Sequence, residues 1–332
     1  MKKSIHTLLH FQLLGLLLAL MALCASPYYW FADLFTHFAL QYMAVAFIAC
    51  IGFLFLRAGV WKALISAFCF LVFGALVASL FLMKPLVKNA LYEDITILQF
   101  NINYANADVE GIAGWINNYG TISTSIEALT AQAKPDIVVL QEVSPEVVAK
   151  LTTLKKSYPH SFLAPKEGAF GMAIFSRIPL SGKRVKFTGS WNEYAELRFT
   201  MPRPALSFTL TELHTMPPVG EAAWQQRNNE LKEITIVVNR QPESGRIMIG
   251  DLNITPYSPW FWEMERSTRL RNSMQGGRIT GTWPSLLPSI LRIPIDHMLV
   301  SDNIEVLERR VEADQGSDHL PVVTKLRIYA NN

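Results

Sequence analysis

Three long runs without a charged residue fill most of the first quarter of the chain. Asp, Glu, Lys and Arg are all absent from residues 4–32, 34–56 and 63–83. About 20 apolar residues in a helix cross the hydrocarbon core of a bilayer, and each run is long enough to supply them. A buried hairpin in a soluble protein is the alternative, but three such runs in succession disfavour it. We therefore predict three transmembrane helices, with cores near residues 8–25, 36–56 and 63–83.

The basic residues around these runs predict how the chain lies in the membrane. Lys2 and Lys3 precede the first span, and the loop between the second and third spans carries Arg57 and Lys62. The loop between the first and second spans carries Asp33 and no basic residue. Because Lys and Arg are enriched in cytoplasmic loops, we expect the N-terminus in the cytoplasm. Three crossings then predict a multi-pass protein of the cell (inner) membrane, held in the lipid bilayer, with its remaining residues extracytoplasmic.

The cysteines exclude several kinds of site. Cys24, Cys50 and Cys69 all lie in the predicted spans, and no cysteine follows them. A disulfide, a zinc–thiolate site and a cysteine nucleophile are therefore excluded beyond the spans. Residues 22–26 loosely resemble a signal-peptide cleavage or lipid-attachment site, but cleavage there would still leave two spans.

The rest of the chain is expected to form one domain. Residues 1–91 make up the membrane region and a linker, and no Gly/Ser-rich or Pro-rich segment divides residues 92–332. The chain has 30 Lys/Arg and 27 Asp/Glu, of which residues 1–89 hold six and one, leaving 24 basic and 26 acidic residues. Proteins that bind nucleic acid usually show a basic excess. A nucleic-acid partner is therefore possible but disfavoured, and the sequence points to no protein partner.

Short apolar runs bounded by turn residues predict the elements of this domain. Strands are expected near residues 95–100, 136–140, 171–175, 205–213, 246–249, 293–300 and 320–328. Helices are expected near residues 122–133, 144–154 and 224–238, with a short one after residue 258. The strands alternate with few helices and are too short for a doubly wound parallel sheet. The sequence favours an α/β (α+β) arrangement of two packed, mostly antiparallel sheets with helices outside.

Polar residues follow most of these strands at the point where a sheet would end. The segments are Gln99–Asn101, Leu140–Glu142, Leu213–Thr215, Gly250–Asn253, Ile295–His297 and Gly316–His319. Together they supply a glutamate suited to a metal ion, three histidines, asparagines and three aspartates. This set of side chains is typical of metal-assisted hydrolysis of a phosphate ester.

Residues from about 95 to 328 resemble the endonuclease/exonuclease/phosphatase superfamily, which includes deoxyribonuclease I. Its bacterial membrane-anchored branch is suggested by three of the segments, residues 213–218, 281–284 and 295–297. The resemblance implies a four-layer sandwich of two sheets flanked by helices, here as a catalytic domain over residues 92–332. It also implies a hydrolase of phosphate esters that uses Mg²⁺ or Mn²⁺.

The resemblance also implies which residues hold the metal ion. Glu142 would be the main ligand, with Asn101 beside it and Asp318 on the far side. Carboxylate and amide oxygens are hard ligands that suit Mg²⁺. Asn103 departs from the family pattern, which often has an aspartate there. Because its amide is neutral, the number of metal ions at the site, one or two, stays open.

The catalytic residues implied by the resemblance are His319, Asp296, Asp251 and His214. Asp296 would orient the imidazole of His319, and Asp251 would position the attacking water. The identity of the general base, Asp251 or His319, stays open. His297 is expected to be structural, because neighbouring residues on a strand face opposite ways.

The resemblance assigns the substrate phosphate to Asn101, Asn253 and His214. Three functions remain compatible with these residues. The first is a phosphoesterase outside the cytoplasm that acts on a lipid or lipid-linked phosphate. The second is an extracytoplasmic nuclease, and the third is a non-enzymatic membrane module that keeps the fold. The sequence leaves open the exact substrate, the choice among monoester, diester and pyrophosphate, and the oligomeric state.

Overall fold

The computed structural model describes residues 2–82, 84–120, 134–241 and 245–330. The predicted helix at residues 122–133 lies outside the described residues. The helices are α1 Lys2–Ala25, α2 Trp30–Thr36, α3 Ala39–Phe55, α4 Val60–Ala78, α5 Val109–Asn118, α6 Pro145–Lys150, α7 Glu221–Arg240 and α8 Pro259–Thr268. The strands are β1 Tyr92–Asn101, β2 Ile137–Gln141, β3 His160–Ala164, β4 Met172–Ser176, β5 Leu180–Lys186, β6 Glu193–Phe199, β7 Phe208–Leu213, β8 Arg246–Asp251, β9 Arg271–Asn272, β10 Asp296–Val300, β11 Ile304–Val311 and β12 Val322–Tyr329.

The N-terminal region contains two helices that are long and apolar enough to cross a membrane, Ser4–Ala25 and Val60–Phe81. The predicted span at residues 36–56 corresponds to α3, Ala39–Phe55, which has only 17 residues. Helices α2 and α3 meet at an angle of 65°, and they give a third span only if the bent pair counts as one. Helix α2 also occupies a segment that the sequence suggested was a loop. The structure therefore supports two or three spans rather than fixing three.

The rest of the chain forms two six-stranded sheets. Their strand orders are β11-β12-β1-β2-β4-β3 and β5-β6-β7-β8-β10-β9. One pair in each sheet is parallel, β1 with β2 and β7 with β8, and the other neighbours are antiparallel. Each sheet is thus mixed, with a majority of antiparallel pairs. Strands β3, β5, β6, β9 and β11 were not predicted.

Helices cover the outer face of both sheets and complete four layers. Helices α5 and α6 pack on the first sheet through an apolar cluster that includes Leu98, Ile112 and Val147. Helices α7 and α8 pack on the second sheet through another cluster, which includes Leu231 and Phe261. A third cluster fills the space between the sheets. Fully burying one such aliphatic or aromatic side chain contributes about 1.5–3 kcal/mol, so these clusters hold the layers together.

The core between the sheets changes from apolar to polar along the strands. Residues two positions apart on a strand face the same side. The residue two positions beyond an inward-facing apolar residue therefore also points inward. The inward apolar residues include Ile97, Val139, Leu210, Ile249 and Met298. At one end of the same five strands the inward positions become polar: Asn101, Gln141, Glu212, Asp251 and Asp296. The candidate site lies at this polar end.

Helix α2 connects the N-terminal helices to the two-sheet domain through a buried ion pair. The Asp33 carboxylate accepts hydrogen bonds from Arg227 of α7 at 2.5 Å, from Ser258 at 2.7 Å and from Trp224 at 3.1 Å. Both charged side chains are fully buried. A buried pair with one partner removed leaves a charge without compensation, so this contact opposes movement of α2 away from the domain. The only charge of the first predicted loop therefore has a structural partner.

The predicted linker also follows the surface of the domain. Lys84 forms an ion pair with Glu265 at 2.8 Å, and Lys88 forms one with Glu305 at 3.1 Å. The backbone N–H of Val87 donates to the carbonyl of Asp302 at 2.8 Å. The segment before β1 thus holds the domain against the membrane region.

Candidate active site

Strand directions bring six chain segments to one edge of the sandwich. The parallel pairs β1–β2 and β7–β8 place the C-terminal ends of all four strands at that edge. Strands β10 and β12 run antiparallel to β8 and β1, so their N-terminal ends lie there too. Asp296 pairs directly with Asp251 across the second sheet. The polar segments predicted from the sequence therefore meet around one cavity of about 440 Å³.

Asn101 joins two carboxylates on facing sheets. Its Nδ2 donates to Oε1 of Glu142 at 3.0 Å and to Oδ2 of Asp251 at 3.1 Å. The other oxygen of Glu142 accepts from the backbone N–H of Tyr104 at 3.1 Å. In this arrangement the amide nitrogen, and not the amide oxygen, faces Glu142. Asn101 fixes the glutamate, and it would serve as a metal ligand through its oxygen after rotation of the amide.

His319 and Asp296 form the shortest acid–base contact of the cavity. The imidazole Nδ1 of His319 donates to Oδ2 of Asp296 at 2.9 Å, which leaves Nε2 directed at the cavity. Burial lowers the pKa of His319, but the nearby carboxylates of Asp296 and Asp251 outweigh burial and raise it to about 10. His319 therefore carries a proton at neutral pH in this set of residues. Burial acts to raise the pKa of Asp296, but the nearby charge of His319 acts against burial, and the pKa is lowered overall.

Asp251 lies between two imidazoles. Its Oδ2 is 3.5 Å from Nε2 of His319 and 3.5 Å from Nε2 of His214. Burial raises the pKa of Asp251, and the two histidines act in the opposite direction. A carboxylate that is desolvated in this way accepts a proton more readily than an exposed one.

His214 is oriented by the backbone and by an aromatic ring. Its Nδ1 donates to the carbonyl of Ala169 at 3.0 Å, and its ring stacks on Phe170 with centroids 4.9 Å apart. Since a carbonyl only accepts, the proton lies on Nδ1 and Nε2 faces Asp251. The sequence had given no reason to expect Phe170 at the site.

Strained backbone holds three of the site residues. Glu142, Asn103 and Asn253 have φ angles of 61°, 58° and 47°, in the left-handed region. Such conformations cost on the order of 1–3 kcal/mol each and often occur at functional sites. Asn253 is held by its N–H, which donates to Asp251 at 3.0 Å, and by its Nδ2, which donates to the carbonyl of Thr215 at 2.9 Å.

Gly250 allows the two central strands of the second sheet to approach each other at the site. Its φ is 154°, and a Cβ atom there would lie 1.7 Å from the carbonyl oxygen of Leu213. Any other residue would push β8 away from β7. Asp251 directly follows Gly250 in the chain, and His214 directly follows Leu213. This glycine therefore sets the distance between Asp251 and His214.

Asp318 lines the cavity and is held there by two side chains. Its Oδ1 accepts from Nδ2 of Asn103 at 2.8 Å, and its Oδ2 accepts from Nε1 of Trp283 at 3.2 Å. An aspartate at position 103 could not donate this hydrogen bond, which gives the departure from the family pattern a structural role. Trp283 also lines the cavity.

The donors around Glu142 fit a hard divalent cation. Carboxylates of Glu142 and Asp251 meet at Asn101, and oxygen ligands of this kind suit Mg²⁺ or Mn²⁺. A second possible group is Asp251, Asp296 and His319, whose ligand atoms lie within 4.8 Å of one another. There the Nδ1 of His319 is already used by Asp296, so the chemistry of this group favours proton transfer over metal ligation.

Two other polar side chains of the domain lie outside this arrangement. His297 is buried on the opposite face of β10, where its Nε2 is 2.7 Å from the carbonyl of Ile254. Arg177, which follows β4, is half-exposed and pairs with Asp136 at 3.2 Å. Neither lines the cavity.

The membrane region supplies a wall of the cavity that the sequence did not predict. Trp30, Leu34 and His37 line it together with the predicted site residues His214 and His319. The one available signal was Asp33, an isolated charge between two apolar runs. Apolar residues of the domain, Pro217 to Val219, Ile293 and Ile295, also line the cavity.

Comparisons with known proteins place this geometry in a family. The model described as the Endonuclease/Exonuclease/phosphatase family matches residues 98–319. A solved endonuclease/exonuclease/phosphatase from Beutenbergia cavernae is 20% identical, with 71% of this chain and 72% of that chain covered and a TM-score of 0.54. D. rerio TDP2 complexed with single-strand DNA product is 17% identical, with 70% and 99% covered and a TM-score of 0.56.

A family protein from Bacteroides thetaiotaomicron is also similar, at 16% identity, with 72% and 99% covered and a TM-score of 0.52. At these identities the solved structures show the shared fold. A search of curated proteins found no match to this chain.

Proposed function

The chain belongs to the endonuclease/exonuclease/phosphatase family, whose members hydrolyse phosphate esters, and we propose that it is a membrane-anchored, divalent-metal-dependent phosphoesterase. Its substrate in this proposal is a lipid or lipid-linked phosphate outside the cytoplasm. The observation that carries the proposal is the shared cavity, in which catalytic side chains and a helix next to the first span face the same space. A water-soluble substrate would not require that wall.

A divalent cation held by Glu142 and the Asn101 side chain would offset negative charge at phosphorus and on the leaving oxygen. The chain's own residues would position the other groups. His214 and Asn253 face the space where non-bridging phosphate oxygens would lie. Asp318 flanks that space through its contacts with Asn103 and Trp283.

The protonation of the cavity favours one assignment of the general base. His319 is held in its charged form by two carboxylates, so it would stabilise charge on the phosphoryl group rather than remove a proton. Asp251 is buried and within 3.5 Å of both imidazoles, so it would take the proton from the attacking water. Asp296 would keep His319 oriented and charged.

The metal requirement is tested with purified full-length protein in detergent. Phosphate release or ester cleavage should stop with a chelator and return with Mg²⁺ or Mn²⁺. Glu142→Gln should lose activity with little loss of stability, because it keeps the size of the side chain and removes its charge. Glu146→Gln, at an exposed glutamate of α6, is the matched control. Full activity of Glu142→Gln would contradict the proposed metal site.

Substrate class is tested in the same preparation. Polyprenyl phosphates, phospholipids and DNA should be offered in parallel with Mg²⁺. We expect cleavage of a lipid phosphate and weak or no cleavage of DNA, since the domain has no basic excess to attract a polyanion. Preferential cleavage of DNA would favour the nuclease instead.

A further inference from the structure

Helix α2 presents one of its faces to the active-site cavity. Trp30, Leu34 and His37 are spaced by four and three residues, so they lie on one side of the helix. All three line the cavity with His214 and His319. The phosphate-binding end of the cavity is therefore polar, and the α2 side is mainly apolar.

We infer that Trp30 and Leu34 form the wall on which the hydrocarbon chain of a lipid phosphate ester lies while its phosphate is held near His214 and His319. The inference deepens the proposed function and rests on it. It makes these two residues determinants of substrate specificity, supplied by the membrane region and not by the catalytic domain.

The wall is fixed in place, as a binding surface must be. Asp33, on another side of the same helix, is held by Arg227 and Ser258 of the domain. His37 is held by Thr255, whose Oγ1 is 3.0 Å from its Nδ1. A surface that is already ordered loses little conformational entropy when a chain binds to it. These contacts fix the distance between the wall and the catalytic side chains.

Apolar side chains are also exposed between the cavity residue Trp283 and the start of α3. The segment after Trp283 exposes Leu286, Ile290 and Leu291, with exposed fractions of 88%, 62% and 46%. Its Ile290 carbonyl accepts a hydrogen bond from Nε2 of Gln41, near the start of α3, at 2.9 Å. This contact places the exposed apolar side chains beside a membrane helix. Exposed apolar side chains near a membrane helix are the kind of surface that contacts lipid.

The charge of the cavity favours a lipid over a polyanion. Among the described residues that line the cavity, none is Lys or Arg. Three acidic residues, Glu142, Asp251 and Asp318, do line it. A strand of nucleic acid would bring several phosphates, and it would need basic groups beside the reacting one. A lipid brings one phosphate group to the polar end and an apolar chain to the wall.

The test compares esters that differ only in chain length. Hexadecyl and methyl phosphate form one pair, and hexadecyl and methyl p-nitrophenyl phosphate form a second, so monoesterase and diesterase activities are both covered. Full-length protein is assayed in detergent micelles with Mg²⁺, with the hexadecyl esters at a fixed surface concentration. Wild type should have the higher kcat/KM for the hexadecyl member of the pair that it hydrolyses.

Variants of the wall should reduce this preference. Trp30→Ala and Leu34→Ala should each lower the ratio of the two kcat/KM values about tenfold, mainly through KM, because lost apolar contacts in a pocket change discrimination by roughly that factor or more. Leu34→Trp, which fills the space without removing apolar surface, should lower the same ratio. Phe35→Ala is the matched control, since Phe35 is on α2 but outside the cavity lining.

The outcomes separate the inference from the function on which it rests. The chain-binding wall would be overturned if the wild type cleaved both members of a pair with equal kcat/KM. It would also be overturned if the ratio of the two kcat/KM values were unchanged in all three wall variants. Either result would leave the proposed phosphoesterase activity intact. Cleavage of none of the four esters by the wild type would overturn the proposed function, and the wall with it.

Discussion

Glu212 gives a prediction of how stability depends on pH. It lies between the two sheets, fully buried, and its Oε1 accepts a hydrogen bond from Nε2 of Gln141 at 3.2 Å. Its Oε2 has no hydrogen-bond partner within the described residues. Burial raises the pKa of Glu212 from 4.5 to about 8. The carboxyl group is therefore neutral in the folded protein at pH 7.

The sign of the effect follows from proton binding. Between about pH 4.5 and pH 8 the folded protein keeps the proton on Glu212 and the unfolded chain releases it. Stability from this group is therefore fully present below the unfolded pKa and is lost as pH rises towards the folded pKa. At 1.36 kcal/mol per pKa unit, the loss is at most about 5 kcal/mol. For a domain of this size a loss of that size corresponds to roughly 10–20 °C in Tm.

The measurement is thermal unfolding of the full-length protein in detergent, followed by tryptophan fluorescence from pH 5 to pH 8.5 at constant Mg²⁺. Glu212→Gln keeps the shape and cannot ionise, so its Tm should fall less across this range and should exceed that of wild type at the upper end. Glu167→Gln, at an exposed glutamate, is the control and should keep the wild-type dependence. An equal fall in Tm for Glu212→Gln and wild type would refute the reasoning.

Three further predictions concern the site, the α2 contact and the topology. Asp296→Asn and His319→Ala should be far from additive in kcat/KM, because one residue acts through the other, and independent losses would exclude the pairing. Asp33→Asn should destabilise the protein by about 3–5 kcal/mol in thermal unfolding, because it leaves the Arg227 charge buried without a partner. The double variant Asp33→Leu with Arg227→Met should recover most of that loss, and additive losses would show that the pair is not coupled. Alkaline phosphatase fused to the C-terminus should be active and a fluorescent protein there should stay dark, and a fluorescent fusion would place the site in the cytoplasm.

Local properties of the sequence determined the apolar helices and the positions of the site residues. Crossing hydrocarbon depends on the summed apolarity of about 20 consecutive residues, which can be read directly from the chain. The change from apolar to polar at a strand end is also local, and it identified Asn101, Glu142 and Asp251 before any contact was known. The family and its phosphate-ester chemistry followed from the order of these segments and were confirmed by the match over residues 98–319.

Contacts between distant parts of the chain were decided only by the tertiary structure. Asp33 and Arg227 are 194 residues apart, and no local pattern specifies that a charge between two spans will be buried against α7. The same packing brings Trp30 and Leu34 to the cavity and places α2, which the sequence did not predict, before α3 at an angle of 65°. Burial between two sheets likewise gives Glu212 its raised pKa. Sequence determines which groups are available, whereas packing determines their neighbours and their distance from water, on which ionisation and specificity depend.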